Sequence, residues 1–261
     1  MKALYIASSG MTAQERNVEV ISNNIANMRT TGFKRQRAEF QDMLYQQYQR
    51  AGSSTSDQGT MLPAGLEIGS GVRTVATPRI MSQGQVTLTE KELDVAIRGE
   101  GFFMIQLPDG RTAYTRDGSF ERSPEGQLVN SSGYVLQPGI TIPDTAKSID
   151  ISPDGIVEAK LANDATPTQL GQIQIARFVN KGGLESLGDN LFAETAASGP
   201  AQVGIPNVDG NGDLLHMYLE MANVNSVTEI ADLIAAQRAY EMNARVISGA
   251  DEMMQATTQL R

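Results

Sequence analysis

Apolar or neutral side chains recur at alternating steps of three and four residues at both ends of the chain, and this restricts the fold more than any other feature. Near the N-terminus they fall at Leu4, Ala7, Met11, Gln14, Val18, Ile21, Ile25 and Met28. Strict alternation of threes and fours describes a narrow heptad seam, not the broad stripe of a globular helix. Thr30-Thr31-Gly32 follows and predicts a stop, since glycine commonly sits just past a helix end. About 27 residues at 1.5 Å each make a rod of roughly 40 Å. The last 43 residues repeat the stepping at Leu219, Ala222, Ser226, Ile230, Leu233, Gln237, Tyr240, Ala244, Ile247, Asp251 and Met254. One seam needs a partner, so the spacing predicts an antiparallel pair made from the two termini, with the middle of the chain inserted into it.

The plainer reading is that both helices cap an ordinary globular core. Against it, the seam is thin and surrounded by asparagine: Asn17, Asn23, Asn24 and Asn27 at one end, Asn223, Asn225 and Asn243 at the other. Asparagine is a mediocre helix former. Its density here suggests polar surfaces that hydrogen-bond to something outside the pair. Gln14 and Gln237 stand on seam positions and suggest a polar layer, or else the solvated edge of the seam.

Length and composition narrow the function classes. At 261 residues the chain can form two domains or one large one. A net charge of −9 argues against a nucleic-acid surface. The absence of cysteine removes disulfides, thiolate nucleophiles and Cys-based metal sites. No run approaches the ~18 apolar residues of a membrane span, and Met1-Lys2 leads into an amphipathic pattern instead of a signal-peptide core. The chain is expected either to stay in the cytosol or to leave by a route without such a signal. His216 is the sole histidine and no nucleophile-elbow motif accompanies it, so enzymatic readings start weak.

Between the ends, residues 33–50 mix helical and extended signals, and the basic run Lys34, Arg35, Arg37 reads most simply as a solvated face. Residues 51–71 are rich in Gly, Ser and Thr yet keep Met61, Leu62, Leu66 and Ile68, which suggests an extended arm that packs on neighbours. From Arg73 onward short alternating runs are separated by turn signals such as Pro108-Asp109-Gly110, Asp117-Gly118, Pro124-Glu125-Gly126, Ser132-Gly133 and Pro153-Asp154-Gly155. Such spacing predicts a β domain over about residues 86–218. Asp209, Asn211 and Asp213 imitate part of a calcium loop, with Glu220 beyond. Leu214 occupies the position that requires glycine, so a plain turn is the better reading. His216 is expected at the start of the last helix, lightly packed.

The string Ile21-Ser-Asn-Asn-Ile-Ala-Asn-Met-Arg-Thr-Thr-Gly-Phe-Lys-Arg35 closely resembles the N-terminal signature of the bacterial flagellar axial proteins, the rod and hook proteins. Met221-Ala-Asn-Val-Asn-Ser-Val-Thr-Glu-Ile-Ala-Asp-Leu-Ile-Ala-Ala-Gln-Arg-Ala-Tyr240 is similar to the partner signature at the C-terminus. Leu93-Asp-Val-Ala-Ile-Arg-Gly-Glu-Gly-Phe-Phe103 and Tyr114-Thr-Arg-Asp-Gly-Ser-Phe120 resemble their shared β domain. Chain length and the stretch Gln46 to Gly71 resemble the distal-rod branch of that family, with proximal-rod or hook-type membership as the alternative.

The resemblance implies an α+β chain. Residues 1–33 and 219–261 would form a coiled-coil-like helical domain at an inner tube, 34–85 a connecting segment with a distal-rod arm, and 86–218 an outer β domain. It implies a structural subunit, not an enzyme, with no cofactor, metal or catalytic residue. Subunits would build a hollow helical tube that carries torque and lets exported chains pass. The implied partners are further copies of the chain, proximal-rod proteins, the hook protein, the P-ring and L-ring bushing and the flagellar export apparatus. The implied place is the basal body, from periplasm to outer membrane, reached without a cleavable signal. Candidate self-association residues are Leu4, Met11, Gln14, Val18, Ile21, Asn24, Ile25, Asn27, Ile230, Leu233, Gln237, Tyr240, Ile247 and Met254. Candidate straightness-arm residues are Gln46, Ser54, Gln58, Pro63, Leu66 and Ile68. The two ends are expected to order only on assembly, because isolated helices draw most of their stability from packing.

Overall fold

The computed structural model describes residues 2–52, 62–161 and 166–259. The fold is α+β and divides into two compact units. The first comprises Met1–Ile25, Gln36–Pro78 and Asn225–Arg261, the second Ala26–Arg35 and Arg79–Val224. Among the described residues no helix is long and apolar enough to cross a membrane.

In the first unit, helix α1 (Lys2–Ala26) and helix α2 (Ser226–Gln259) run antiparallel. Gly10 of α1 lies against the Asn243 side chain, and Asn24, near the other end of α1, meets Glu229 near the start of α2. Asn225 starts α2 as its cap, its side-chain oxygen accepting the N–H groups of Val227 at 3.0 Å and Thr228 at 3.3 Å. The helix therefore begins seven residues later than the three-four stepping suggests. Leu219 lies instead in the strand Tyr218–Glu220, paired with Val86–Leu88.

The remainder of the first unit is a long antiparallel ribbon. Glu39–Asp42 pairs with Val72–Ala76, and beyond it Tyr45–Gln49 pairs with Leu66–Gly69. A two-stranded ribbon is marginal alone, and this one rests on α1. The Ser9 hydroxyl accepts the Val72 N–H at 3.3 Å, and Gly71, at φ +110°, passes so close to Ser9 that no side chain fits. Further out the Lys2 ammonium donates to the Tyr48 hydroxyl at 2.6 Å and to the Gln46 amide oxygen.

The second unit is built on antiparallel strands. Phe102–Gln106 is central, flanked by Thr112–Thr115, Val135–Gln137 and Ile175–Arg177. Its successive side chains alternate between two buried clusters. Phe103 and Ile105 enter one, with Val95, Ile97, Phe120 and Leu136, while Phe102 and Met104 enter the other, with Phe178 and Phe192. Covering on both faces explains why this stretch is continuously apolar. A separate three-stranded sheet (Ala146–Ile151, Ile156–Leu161, Thr168–Gln172) completes the larger cluster through Ile151 and Val157.

Three sequence-distant strings meet on one buried carboxylate in this unit. Glu220 accepts the Lys34 ammonium at 2.5 Å on one oxygen and the Arg116 guanidinium at 3.3 Å on the other. The Gly84 N–H also donates to Glu220, at 2.8 Å, and the Gly32 N–H donates to its backbone carbonyl at 2.7 Å. Lys34 further donates to the Ser82 carbonyl, and Arg116 to those of Ile97 and Gly99. Asn223 ties the same place, accepting the Arg35 N–H at 2.8 Å and donating to the carbonyls of Ile80 and Ser82. Burial pushes the Lys34 ammonium and the Arg116 guanidinium below their ordinary values, and the Glu220 charge opposes that shift.

Lys34 corrects the solvated-face expectation for the basic run: its side chain is 1 % exposed. Arg37 alone of that run is fully at the surface, paired with Glu39 at 2.8 Å. Removing one partner of a buried charge pair leaves the others uncompensated, which costs about 3–5 kcal/mol. Glu220→Ala is expected to lower the unfolding free energy of the β-rich unit by that amount, read from the denaturant midpoint, whereas Arg37→Ala should shift it by less than about 0.5 kcal/mol.

Candidate assembly surfaces

Side chains on the inner line of the helix pair are small or polar. On α2 the line repeats every seven residues as Glu229, Ala236, Asn243 and Ala250, and three of these are buried outright. On α1 the facing line is Gly10, Asn17 and Asn24, the outer two set by the contacts with Asn243 and Glu229. A Cβ on Gly10 would sit 2.9 Å from the Asn243 amide nitrogen, so glycine here lets the asparagine in. Ala7, Ile21 and Leu233 fill in beside this line.

Asn24 carries the most complete polar contact. Its amide donates to the Gln36 carbonyl at 2.8 Å and to Glu229 at 3.1 Å, while its oxygen accepts the Gln36 N–H at 2.9 Å. Asn24 and Asn223 thus bond to groups outside the helix pair, at Gln36 and at Arg35, Ile80 and Ser82, and these groups belong to the same chain. Both asparagines close helix ends and chain crossings, where backbone groups lose their regular partners.

The structure keeps the period of the expected seam but turns half of it by one residue. Leu233, Ile247 and Met254 are half-buried, as are Leu4, Met11, Gln14, Val18, Ile25 and Asn27 of the N-terminal set, while Ile21 and Asn24 are buried. Ile230, Gln237 and Tyr240 are exposed, Ile230 by 49 %. Gln14 and Gln237 share no hydrogen bond among the described residues. On α1, Glu15, Val18, Glu19 and Ser22 face Gln237, Tyr240 and Glu241 of α2 across an open groove of about 580 Å³.

What most distinguishes α2 is the apolar surface left outside. Val227 is 76 % exposed and Met253 67 %, with Ile234, Met242 and Val246 also open. The ribbon adds Leu44, Tyr45, Tyr48, Leu66 and Ile68, all exposed. Gln46 and Pro63 of the arm set are likewise exposed, whereas Ser54 and Gln58 lie outside the described residues. The three-four pattern hides this outward face, because Val227, Ile234, Met242, Val246 and Met253 all fall between its positions.

The polar candidates of the other unit are absorbed by structure. Asp213 pairs with Arg98, Asn211 donates to the Ile205 carbonyl, and the Asp209 carbonyl accepts from Arg177. His216 lies in the strand Asp213–His216, not at a helix start, with one ring nitrogen 2.7 Å from the Glu92 carbonyl and the other 3.1 Å from Asp150.

Three family models match the chain. One for the flagella basal body rod protein covers residues 4–34, one for the flagellar hook protein FlgE/F/G D1 domain covers 96–159, and one for the flagellar basal body rod FlgEFG protein C-terminal region covers 217–260. These define the broad class, the flagellar rod and hook proteins. Among relatives, the flagellar basal-body rod protein FlgG of Caulobacter vibrioides is 57 % identical over 261 residues, the whole of both chains. Its counterpart in Borreliella burgdorferi is 47 % identical over 100 % of this chain and 99 % of that protein, and that of Bacillus subtilis 37 % over the same shares. The chain belongs to the FlgG family of flagellar basal-body rod proteins, and its relatives are structural proteins.

Asn24 serves one buried group, on Glu229, and two half-buried ones on the Gln36 backbone, and a buried group left unpaired costs about 1–3 kcal/mol. Asn24→Leu is therefore expected to lower the melting midpoint of the helical signal by several degrees in circular dichroism, although leucine is the better helix former.

Proposed function

We propose that this chain is a structural subunit of the distal rod of the bacterial flagellar basal body. Copies assemble into a straight hollow tube that passes torque to the hook and lets exported subunits through. The observation that carries the reading is the outward face of α2, where Val227, Ile234, Met242, Val246 and Met253 stand open beside a seam of alanine and asparagine. An exposed apolar run of that length on a family of rod proteins supports burial against further copies. The helices then act as a coiled-coil-like inner layer and the β-rich unit as an outer one, corresponding to residues 1–33 with 219–261 and to residues 86–218, joined by 34–85.

The exposed ribbon supports the second half of the reading. Residues 39–49 and 66–76 present Leu44, Tyr45, Leu66 and Ile68 on an arm that can wedge between neighbouring subunits and resist bending. Proximal-rod proteins, the hook protein, the ring bushing around the rod and the export apparatus are the partners such a subunit meets on its way through the periplasm to the outer membrane. Ends that order fully only on assembly suit passage through a narrow channel without a cleavable signal.

Concentrated protein is expected to form helical tubes by electron microscopy, and removal of residues 1–30 should abolish them; tubes that persist without these residues would sink the assembly reading. Deleting residues 46–69 should leave tubes that form but curve, seen as a shorter persistence length in the same images. Straight tubes from that deletion would remove the wedge.

A further inference from the structure

We propose that the flank groove between α1 and α2 receives the back of α2 from a second copy of this chain, so that the contact runs head to tail. The proposal rests on the assembly reading above and gives it a named contact. The groove, about 580 Å³, is lined by the apolar Val18 and Tyr240 and by three carboxylates, Glu15, Glu19 and Glu241. Glu19 also holds Arg16 on its own helix at 3.2 Å, an exposed pair that exchanges readily.

The back of α2 is complementary to this groove. Arg238 and Arg245 are the two cations of that helix, and seven residues of separation put them on one side, roughly 10 Å apart. That side is opposite the Ala236 line. Ile234 and Met242 stand beside them, 45 % and 61 % exposed. Both arginines are exposed, and among the described residues neither forms an ion pair or a hydrogen bond.

Apolar side chains entering the groove supply the affinity, while arginines meeting its carboxylates set register and reject wrong alignments. Groove and back are different surfaces of one subunit. Each copy therefore offers one of each to its neighbours, and such heterologous contacts propagate into open helices or rings instead of closing as a dimer.

The chain contains no cysteine, which permits a direct test in the full-length protein. The double variant Ser22→Cys with Met242→Cys, assembled and then oxidised, should give a ladder of dimers, trimers and higher species on a denaturing gel. Either substitution alone should give none. A ladder or dimer from one substitution, or no ladder from a double variant that polymerises, would overturn the contact. In parallel, Arg238→Glu with Arg245→Glu should raise the critical concentration for assembly at least tenfold, and adding Glu15→Lys with Glu19→Lys, both on α1, should bring it back toward that of the unmodified chain. An unchanged critical concentration after the arginine reversal would also overturn the contact. An unmodified chain that never polymerises removes the assembly reading itself, and this contact with it.

Discussion

A single carboxylate without access to water holds together the segments on which the second unit depends. Glu220 lies between Lys34, just past the end of α1, and Arg116, in the β-rich body, and all three are at most 4 % exposed at the side chain. Desolvating three charges is expensive, and the net stability from such a cluster is small. Its value lies in what it excludes. Lys34 and Arg116 both lose this acceptor if the chain pairs out of register, so their charges hold the segments around residues 34, 84, 116 and 220 to this arrangement. The carbonyls of Ser82, Ile97 and Gly99 and the Gly84 N–H complete the coordination, so most of the polar capacity around the carboxylate is used.

The helix pair applies the same logic in milder form. An inner line of Gly10, Asn17 and Asn24 against Asn243, Ala236 and Glu229 gives little apolar burial. In return, a large side chain cannot slide along it without meeting glycine, alanine or an amide. Asn24 fixes one end through its hydrogen bond to Glu229, itself oriented by two bonds to the Gln36 backbone, and the fit of Asn243 over Gly10 fixes the other. Polar contacts at a helix interface commonly set register at some expense of stability, and here Val227, Ile234, Met242, Val246 and Met253 of α2 stay outside.

Much of this was legible in the chain itself, and the parts that were not share a physical cause. Periodicity located both helices, and glycine-bearing turns located the strands; Gly110, Gly126, Gly133 and Gly155 all adopt positive φ where the turn signals place them. The rotation of the seam was hidden because hydrophobicity ranks Ile230 above Glu229 and Ile25 above Asn24, whereas the helices meet there through the hydrogen-bonding member of each neighbouring pair. Lys34 was hidden because its acceptor is 186 residues away, and nothing local to Lys-Arg-Gln-Arg distinguishes a buried ammonium from a solvated one. The start of α2 was misplaced because Leu219 and Ala222 continue the period by coincidence, within a strand and the irregular stretch after it. Only the capping geometry of Asn225 marks the true boundary.

The rotation has an energetic meaning. Ordering a residue of backbone costs roughly 1–2 kcal/mol, and fully burying a large aliphatic side chain returns about 1.5–3 kcal/mol. A seam of alanine, glycine and asparagine returns far less per turn than one of isoleucine and methionine. In a lone chain, Ile230, Ile234, Met242 and Val246 contribute little because they remain largely in water. Had the larger residues faced inward, α1 and α2 would satisfy each other and leave no apolar surface for a neighbour. With the small residues inward, Val227, Ile234, Met242, Val246 and Met253 of α2 are left open to solvent. Those side chains return their burial energy only where that surface is covered.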